Sequence, residues 1–235
     1  MSSVTAIIPA FNEENTIGGI VKVLSQITEV KEIIVVSDGS ADNTAERARA
    51  AGAKVIELQE NVGKGGAMSA GVAQAQYEVI LFLDADLIGL TPTHVRDMLD
   101  PVLKGAAAMS IGIFEKGRLA TDLAQVVAPY LSGQRVLRKD LLRAMRDVED
   151  SGFGVEVTLT KYAHDHHLKV QEVELAGMTH IMKEEKLGFK KGLQARMKMY
   201  WQIAKAVGIG LKHKNGYHDQ PDEPDEAVGA EKNNQ

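Results

Sequence analysis

The stretch EIIVVSDGSADNTAERARAAGAKVIEL, residues 32–58, decides the fold. Glu32 to Ser37 is a short β-branched run, Asn43 to Ala51 is a helix-length segment of good helix formers, and Lys54 to Leu58 is β-branched again. Asp42 or Asn43, just before Thr44, offers a side-chain acceptor to the free N–H groups at the helix start. Upstream, Thr5 to Pro9 is another strand-like run and Thr16 to Gln26 another helix, with Asn15 in capping position. The first 58 residues therefore read βαβαβ. Downstream, a helix from Lys64 to Gln74 leads into the apolar run Glu78 to Leu83. Strands that are apolar throughout belong to a sheet covered on both faces. The expected class is α/β, a Rossmann-like, doubly wound and mostly parallel sheet flanked by helices.

Beyond Asp86 the pattern loosens. It still gives a helix over Thr93 to Leu103, a strand over Ala107 to Phe114, helices over Lys139 to Arg146 and Val155 to His166, and a strand over Lys169 to Leu175. The chain of 235 residues suits one core with short extensions, and 44% hydrophobic with 25% charged residues is the balance of a globular protein. With no cysteine, disulfides, thiolate zinc sites and cysteine nucleophiles are excluded. A net charge of -5 gives no support to nucleic-acid binding. Neither a secretory leader nor a run of about 18 apolar residues is visible, so a cytoplasmic location is expected.

Residues 183–214 carry nine Lys and Arg against two Glu, with Phe189, Leu193, Met197, Tyr200, Trp201, Ala204 and Val207 at helical spacing. This reads as a basic amphipathic C-terminal helix. Its apolar stripe either packs on the catalytic domain, joins a homodimer, or lies peripherally on an anionic membrane face. Residues 215–235 read as a disordered acidic tail.

Chemistry concentrates where the strands end. Asp84-Ala85-Asp86 follows Val79 to Leu83 directly, and two carboxylates at the carboxyl end of a strand supply hard oxygen ligands for Mg²⁺ or Mn²⁺. A strand-ending loop with a capping Asp explains the triplet equally well on its own. Asn61-Val62-Gly63-Lys64-Gly65-Gly66-Ala67 is a Gly-rich turn whose N–H groups and lysine suit a phosphate, but the Walker spacing is missing. After the first strand, Pro9-Ala10-Phe11-Asn12-Glu13-Glu14 replaces a dinucleotide fingerprint. Asp38 can accept from a base N–H, whereas Ser40 to Thr44 have turn and cap chemistry. His164, His166 and His167 close a helix, where the dipole favours them, and are read as structural.

These motifs, in this order, resemble the nucleotide-sugar half of family 2 glycosyltransferases with the GT-A fold. The resemblance implies that Pro9, Ala10, Glu13 and Asp38 hold the nucleoside, that Lys64 lies by the diphosphate, and that Asp84-Ala85-Asp86 is the DxD element, with Asp86 the direct metal ligand. The later Gly152-Phe153-Gly154-Val155-Glu156-Val157 and Gly177-Met178-Thr179-His180 are similar to the glucosyl-3-phosphoglycerate synthases and their relatives. That likeness makes His180 a third metal ligand beside Asp84 and Asp86. It also places Glu156 on the acceptor side, as proton acceptor or as orienting group, with Gly154 nearby. Where those synthases carry an arginine two residues before the histidine, this chain has Met178. Arg135, in the polar loop Ser132-Gly133-Gln134-Arg135 before a helix, either contacts sugar or acceptor or forms a surface ion pair.

The resemblance implies a single GT-A domain over residues 1–182, with residues 1–90 as the nucleotide-sugar half and 91–182 as the acceptor half. Its activity would be metal-dependent transfer of a hexose from a nucleotide sugar, UDP-glucose first, to a small-molecule acceptor. A loop over residues 112–120 would exclude water. A polyprenyl-phosphate acceptor at a membrane surface is the alternative. A nucleotidyltransferase would need a Gly-rich basic loop after the first strand, which Pro9 to Glu14 does not supply.

Overall fold

The computed structural model describes residues 3–114, 132–144 and 155–180. Strand and helix alternate strictly at first: β1 (Val4–Ala10), α1 (Ile17–Leu24), β2 (Val30–Asp38), α2 (Thr44–Ala50), β3 (Lys54–Leu58), α3 (Gly63–Gln74) and β4 (Val79–Phe82). There follow β5 (Leu87–Ile88), α4 (Pro92–Leu103), β6 (Met109–Phe114), β7 (Arg135–Arg138), α5 (Lys139–Ala144), α6 (Val155–Asp165), β8 (Val170–Leu175) and β9 (Thr179–His180).

Among the described residues, seven strands form one sheet in the order β3-β2-β1-β4-β7-β6-β8. All its pairings are parallel except those of β7, which runs antiparallel to both β4 and β6. The pleat divides the apolar residues between two faces. Val4, Ala6 and Ile8 of β1 join Val35, Leu81 and Val136 under α1 and α4, while Ile7 joins Ile34, Val36, Ile80, Phe82 and Leu137 under α3 and α6. Each fully buried Ile, Leu or Phe contributes about 1.5–3 kcal/mol relative to exposure, which is why a sheet covered on both sides selects continuous apolar strands. The expected doubly wound architecture is present.

Two local expectations change. Asn15 does not cap α1: Thr16 stands at the N-cap position and its hydroxyl donates to the Ala85 carbonyl at 2.6 Å, tying α1 to the turn after β4. At α2 the acceptor is Asp42, whose Oδ1 receives the Thr44 N–H at 3.0 Å. The polar loop expected at Ser132 to Arg135 enters a central strand, because Val136 and Leu137 fill opposite faces of the sheet while Arg135 is itself fully buried.

Sheet order reverses at β1, with β2 on one side and β4 on the other. The crevice beyond the carboxyl ends of such strands is where open α/β sheets receive ligands. A second, two-stranded sheet closes this end: β5 pairs antiparallel with β9, Leu87 opposite His180 and Ile88 opposite Thr179. Among the described residues no helix is long and apolar enough to cross a membrane. The basic segment 183–214, the tail 215–235, Gly154 and residues 115–120 of the expected loop lie outside the described residues.

Candidate active site

β1 ends at Ala10, and the chain turns through Asn12, which takes a positive φ of 56°. The turn is held by the segment after β2. The Asn12 N–H donates to Ser40 Oγ at 3.1 Å, the Ala41 N–H to Asn12 Oδ1 at 2.9 Å, the Glu13 N–H to Thr44 Oγ1 at 2.8 Å and the Glu14 N–H to Asp42 Oδ2 at 3.2 Å. Ser40 to Thr44 thus do structural work, as their turn chemistry suggested. Burial acts to raise the Asp42 pKa, but the hydroxyl and N–H groups of Thr44 and the N–H of Glu14 hold its carboxyl below the usual range.

β2 delivers Asp38 to the same crevice, only 3% exposed, with Oδ1 accepting the Val62 N–H at 2.8 Å. Gly39 makes this approach possible. Its φ is +68°, and a Cβ there would lie 2.7 Å from the Asn61 nitrogen. The anchored turn leads into α3, whose second residue is Lys64. The Lys64 ammonium lies 2.5 Å from Asp84 Oδ1 and 2.5 Å from Glu156 Oε1, joining the end of β4 to the first turn of α6. Burial acts to discharge this ammonium, but the two carboxylates outweigh it and hold its pKa above the ordinary value. Gln134 donates from Nε2 to Asp84 Oδ2 at 2.8 Å, so both Asp84 oxygens are engaged.

Together these elements enclose a cavity of about 330 Å³, within the range of small-molecule sites. Pro9, Ala10, Glu13, Asp38, Lys64, Asp84, Ala85 and Asp86 all line it, so every residue expected to contact a nucleotide sugar is brought to one place. Phe11, Asn61 and Gly63 line it too. Four carboxylates against one ammonium make the lining strongly acidic, a poor host for a diphosphate without additional positive charge. The strand pair β5–β9 sets the His180 backbone opposite Leu87, one residue beyond Asp86. Carboxylate and imidazole are suitable donors for Mn²⁺, and carboxylates for Mg²⁺. Among the described residues no three acidic or imidazole side chains converge on a point that could hold a metal ion.

Other sequence expectations fall elsewhere. Arg135 is neither a loop residue nor a surface ion pair: it is 0% exposed, its Nε–H donating to the Ser132 carbonyl at 2.8 Å and Nη1 to Thr160 Oγ1 at 2.7 Å. Among the described residues its guanidinium is hydrogen-bonded to protein. Met178 is 6% exposed and packs in the core beneath α1 and α4. His164 and His166 sit at the far end of α6 from Glu156, where His166 stacks on Tyr162 with ring centroids 3.9 Å apart and its Nδ1 is 3.0 Å from the Tyr162 carbonyl. Gln134 is the contact that sequence reasoning missed. Its neighbours were legible as a polar loop, but nothing local reveals that β7 inserts beside β4 and carries this amide to Asp84.

The sequence profile of Glycosyl transferase family 2 matches residues 5–151. The chain is 31% identical over 156 residues to the glucosyl-3-phosphoglycerate synthase of Mycolicibacterium paratuberculosis, covering 61% of this chain and 47% of that one. It thus spans about half the length of that relative. Its fold matches crystal structures of the Mycobacterium tuberculosis glucosyl-3-phosphoglycerate synthase. One holds Mn²⁺, UDP-glucose and phosphoglyceric acid (TM-score 0.68, 25% identity, 88% of this chain and 80% of that one). Another holds Mg²⁺ and UDP (TM-score 0.68, 25% identity, 88% and 80%).

Proposed function

The chain belongs to glycosyl transferase family 2, and from that membership we propose that it moves a hexose from a nucleotide sugar, UDP-glucose, to a small-molecule acceptor. The observation that carries this reading is the cavity at the β1/β4 switch point, where the ends of β1, β2 and β4 and the first turn of α3 bring Glu13, Asp38, Lys64, Asp84 and Asp86 together. The solved relatives with UDP-glucose and Mn²⁺, or with UDP and Mg²⁺, support the choice of donor and metal.

In this mechanism Pro9, Ala10, Glu13 and Asp38 hold the nucleoside, with the Asp38 carboxylate fixed by Val62. Asp86 and His180 hold Mg²⁺ or Mn²⁺. Asp84 is the third ligand of the set and also meets the Lys64 ammonium and the Gln134 amide. The divalent ion supplies the positive charge that the departing diphosphate needs. Lys64 adds a second cation on the leaving-group side, which acts most strongly where water is excluded. Glu156 serves the acceptor side, either taking the acceptor proton or orienting its hydroxyl.

Met178, where those synthases carry an arginine, offers no charge and is buried in the core, so 3-phosphoglycerate is one candidate acceptor among several. The test is transfer of labelled glucose from UDP-glucose with Mn²⁺ to a panel of hydroxyl acceptors that includes 3-phosphoglycerate. A labelled product from the wild type, absent with Asp86→Ala, is expected. Absence of any labelled product, with hydrolysis also missing, would remove the reading.

A further inference from the structure

Arg135 has no place in the chemistry above, and stability alone does not explain it. It is among the largest fully buried side chains, enclosed in the layer between the sheet and α6. A buried guanidinium is costly to desolvate, and a buried ionic network is often matched in stability by apolar residues that replace the whole of it. Burial lowers its pKa to about 10, with Glu156 and then Asp84 acting in the opposite direction, so it is charged at neutral pH.

Its hydrogen bonds to Ser132 and Thr160 join the entry to β7, where Gln134 reaches Asp84, to α6, which carries Glu156. On the strand side, Nε–H holds the Ser132 carbonyl at 2.8 Å, fixing the entry to β7. The Ser132 hydroxyl donates to the Gly112 carbonyl at 2.5 Å and receives the Gln134 N–H at 3.2 Å, and the Gln134 amide reaches Asp84 at 2.8 Å. On the helix side, Nη1 donates to Thr160 Oγ1 at 2.7 Å, and that hydroxyl donates to the Glu156 carbonyl at 2.9 Å, one turn earlier in α6. Asp84 and Glu156 therefore meet twice: above through Lys64, which is partly exposed and faces the cavity, and below through Arg135, which is not.

We propose that Arg135 is a positioning residue, a fixed buried cation that braces the Gln134–Asp84 corner against the Glu156 end of α6 and keeps the two carboxylates in register when a bound diphosphate draws Lys64 away. This assignment rests on the glycosyltransferase reading. A misplacement of reacting groups by about 1 Å can lower turnover by about 100-fold without touching substrate binding. Arg135→Met leaves the buried Ser132 carbonyl without its donor and should lower Tm, while the fraction that stays folded keeps the donor KM and loses about 100-fold in kcat. Arg135→Lys keeps the charge without the planar fork and should recover part of that loss.

The experiment is steady-state turnover of UDP-glucose with Mn²⁺ by the wild type, Arg135→Met, Arg135→Lys and Thr160→Val, with Tm measured for each. Thr160→Val preserves shape and should lower kcat in the same direction, with no additive effect in the double variant with Arg135→Met. Wild-type kcat in a folded Arg135→Met, or a loss that follows only the fraction unfolded, would overturn the assignment. Should Arg135→Met not fold, Thr160→Val decides, and unaltered kcat there overturns it. A wild type that turns over no nucleotide sugar removes the functional reading itself and this role with it, an outcome visible before any variant is made.

Discussion

At the scale of single residues, the site is organised by one ammonium between two carboxylates. Lys64→Met leaves Asp84 and Glu156 facing each other without the cation that joins them. Loss of one preorganised group at a leaving group costs about 100-fold in kcat, and that loss is the expected outcome by turnover of UDP-glucose. Glu156→Gln keeps shape and removes charge; a drop of about 100-fold or more is expected if it takes the acceptor proton, and near-normal transfer would leave it only an orienting role. Gly133 is a second critical position. A methyl group there would fall onto the Asp84 carboxylate and 2.5 Å from the Lys64 nitrogen, so Gly133→Ala should depress transfer while far-UV circular dichroism stays unchanged.

At the scale of elements, the loop from Asn12 to Glu14 is held in place by the segment after β2, with Asp42 at its centre. Removing a side-chain cap typically costs about 1 kcal/mol, and Asp42→Ala should lower stability by that order in urea unfolding at neutral pH. The folded carboxyl is held below its ordinary pKa, so its contribution is present above the unfolded value and lost as pH falls through the folded one. The gap between wild type and Asp42→Ala should accordingly narrow on acidification. The same elements explain what was legible in the sequence. β1, β2 and β4 announce themselves because both sheet faces are covered and their centres are apolar, whereas the edge strand β3 is marked only by Val55 and Ile56 between Lys54 and Glu57. β7 does not, because only Val136 and Leu137 separate two arginines, and β5 and β9 are two residues each, too short for any periodicity. The donor side of the site was readable because its residues end early strands. The Gln134 contact and the burial of Arg135 were not, since both depend on β7 entering the sheet between β4 and β6.

At the scale of the whole molecule, reversal of strand order at β1 creates the crevice, and the small β5–β9 sheet brings the His180 backbone alongside the Asp84-Ala85-Asp86 turn from a distant part of the sequence. The cavity so formed has an acidic lining, which predicts that donor binding and divalent cation binding are linked. The most direct measurement is thermal unfolding with a panel of nucleotide sugars, with and without Mn²⁺, on the wild type and Asp86→Ala. A rise in Tm with UDP-glucose that requires Mn²⁺ and vanishes in Asp86→Ala is the predicted result, since a ligand at 100 times its Kd stabilises by about 2.7 kcal/mol. Stabilisation by nucleoside triphosphates and by no nucleotide sugar would contradict it.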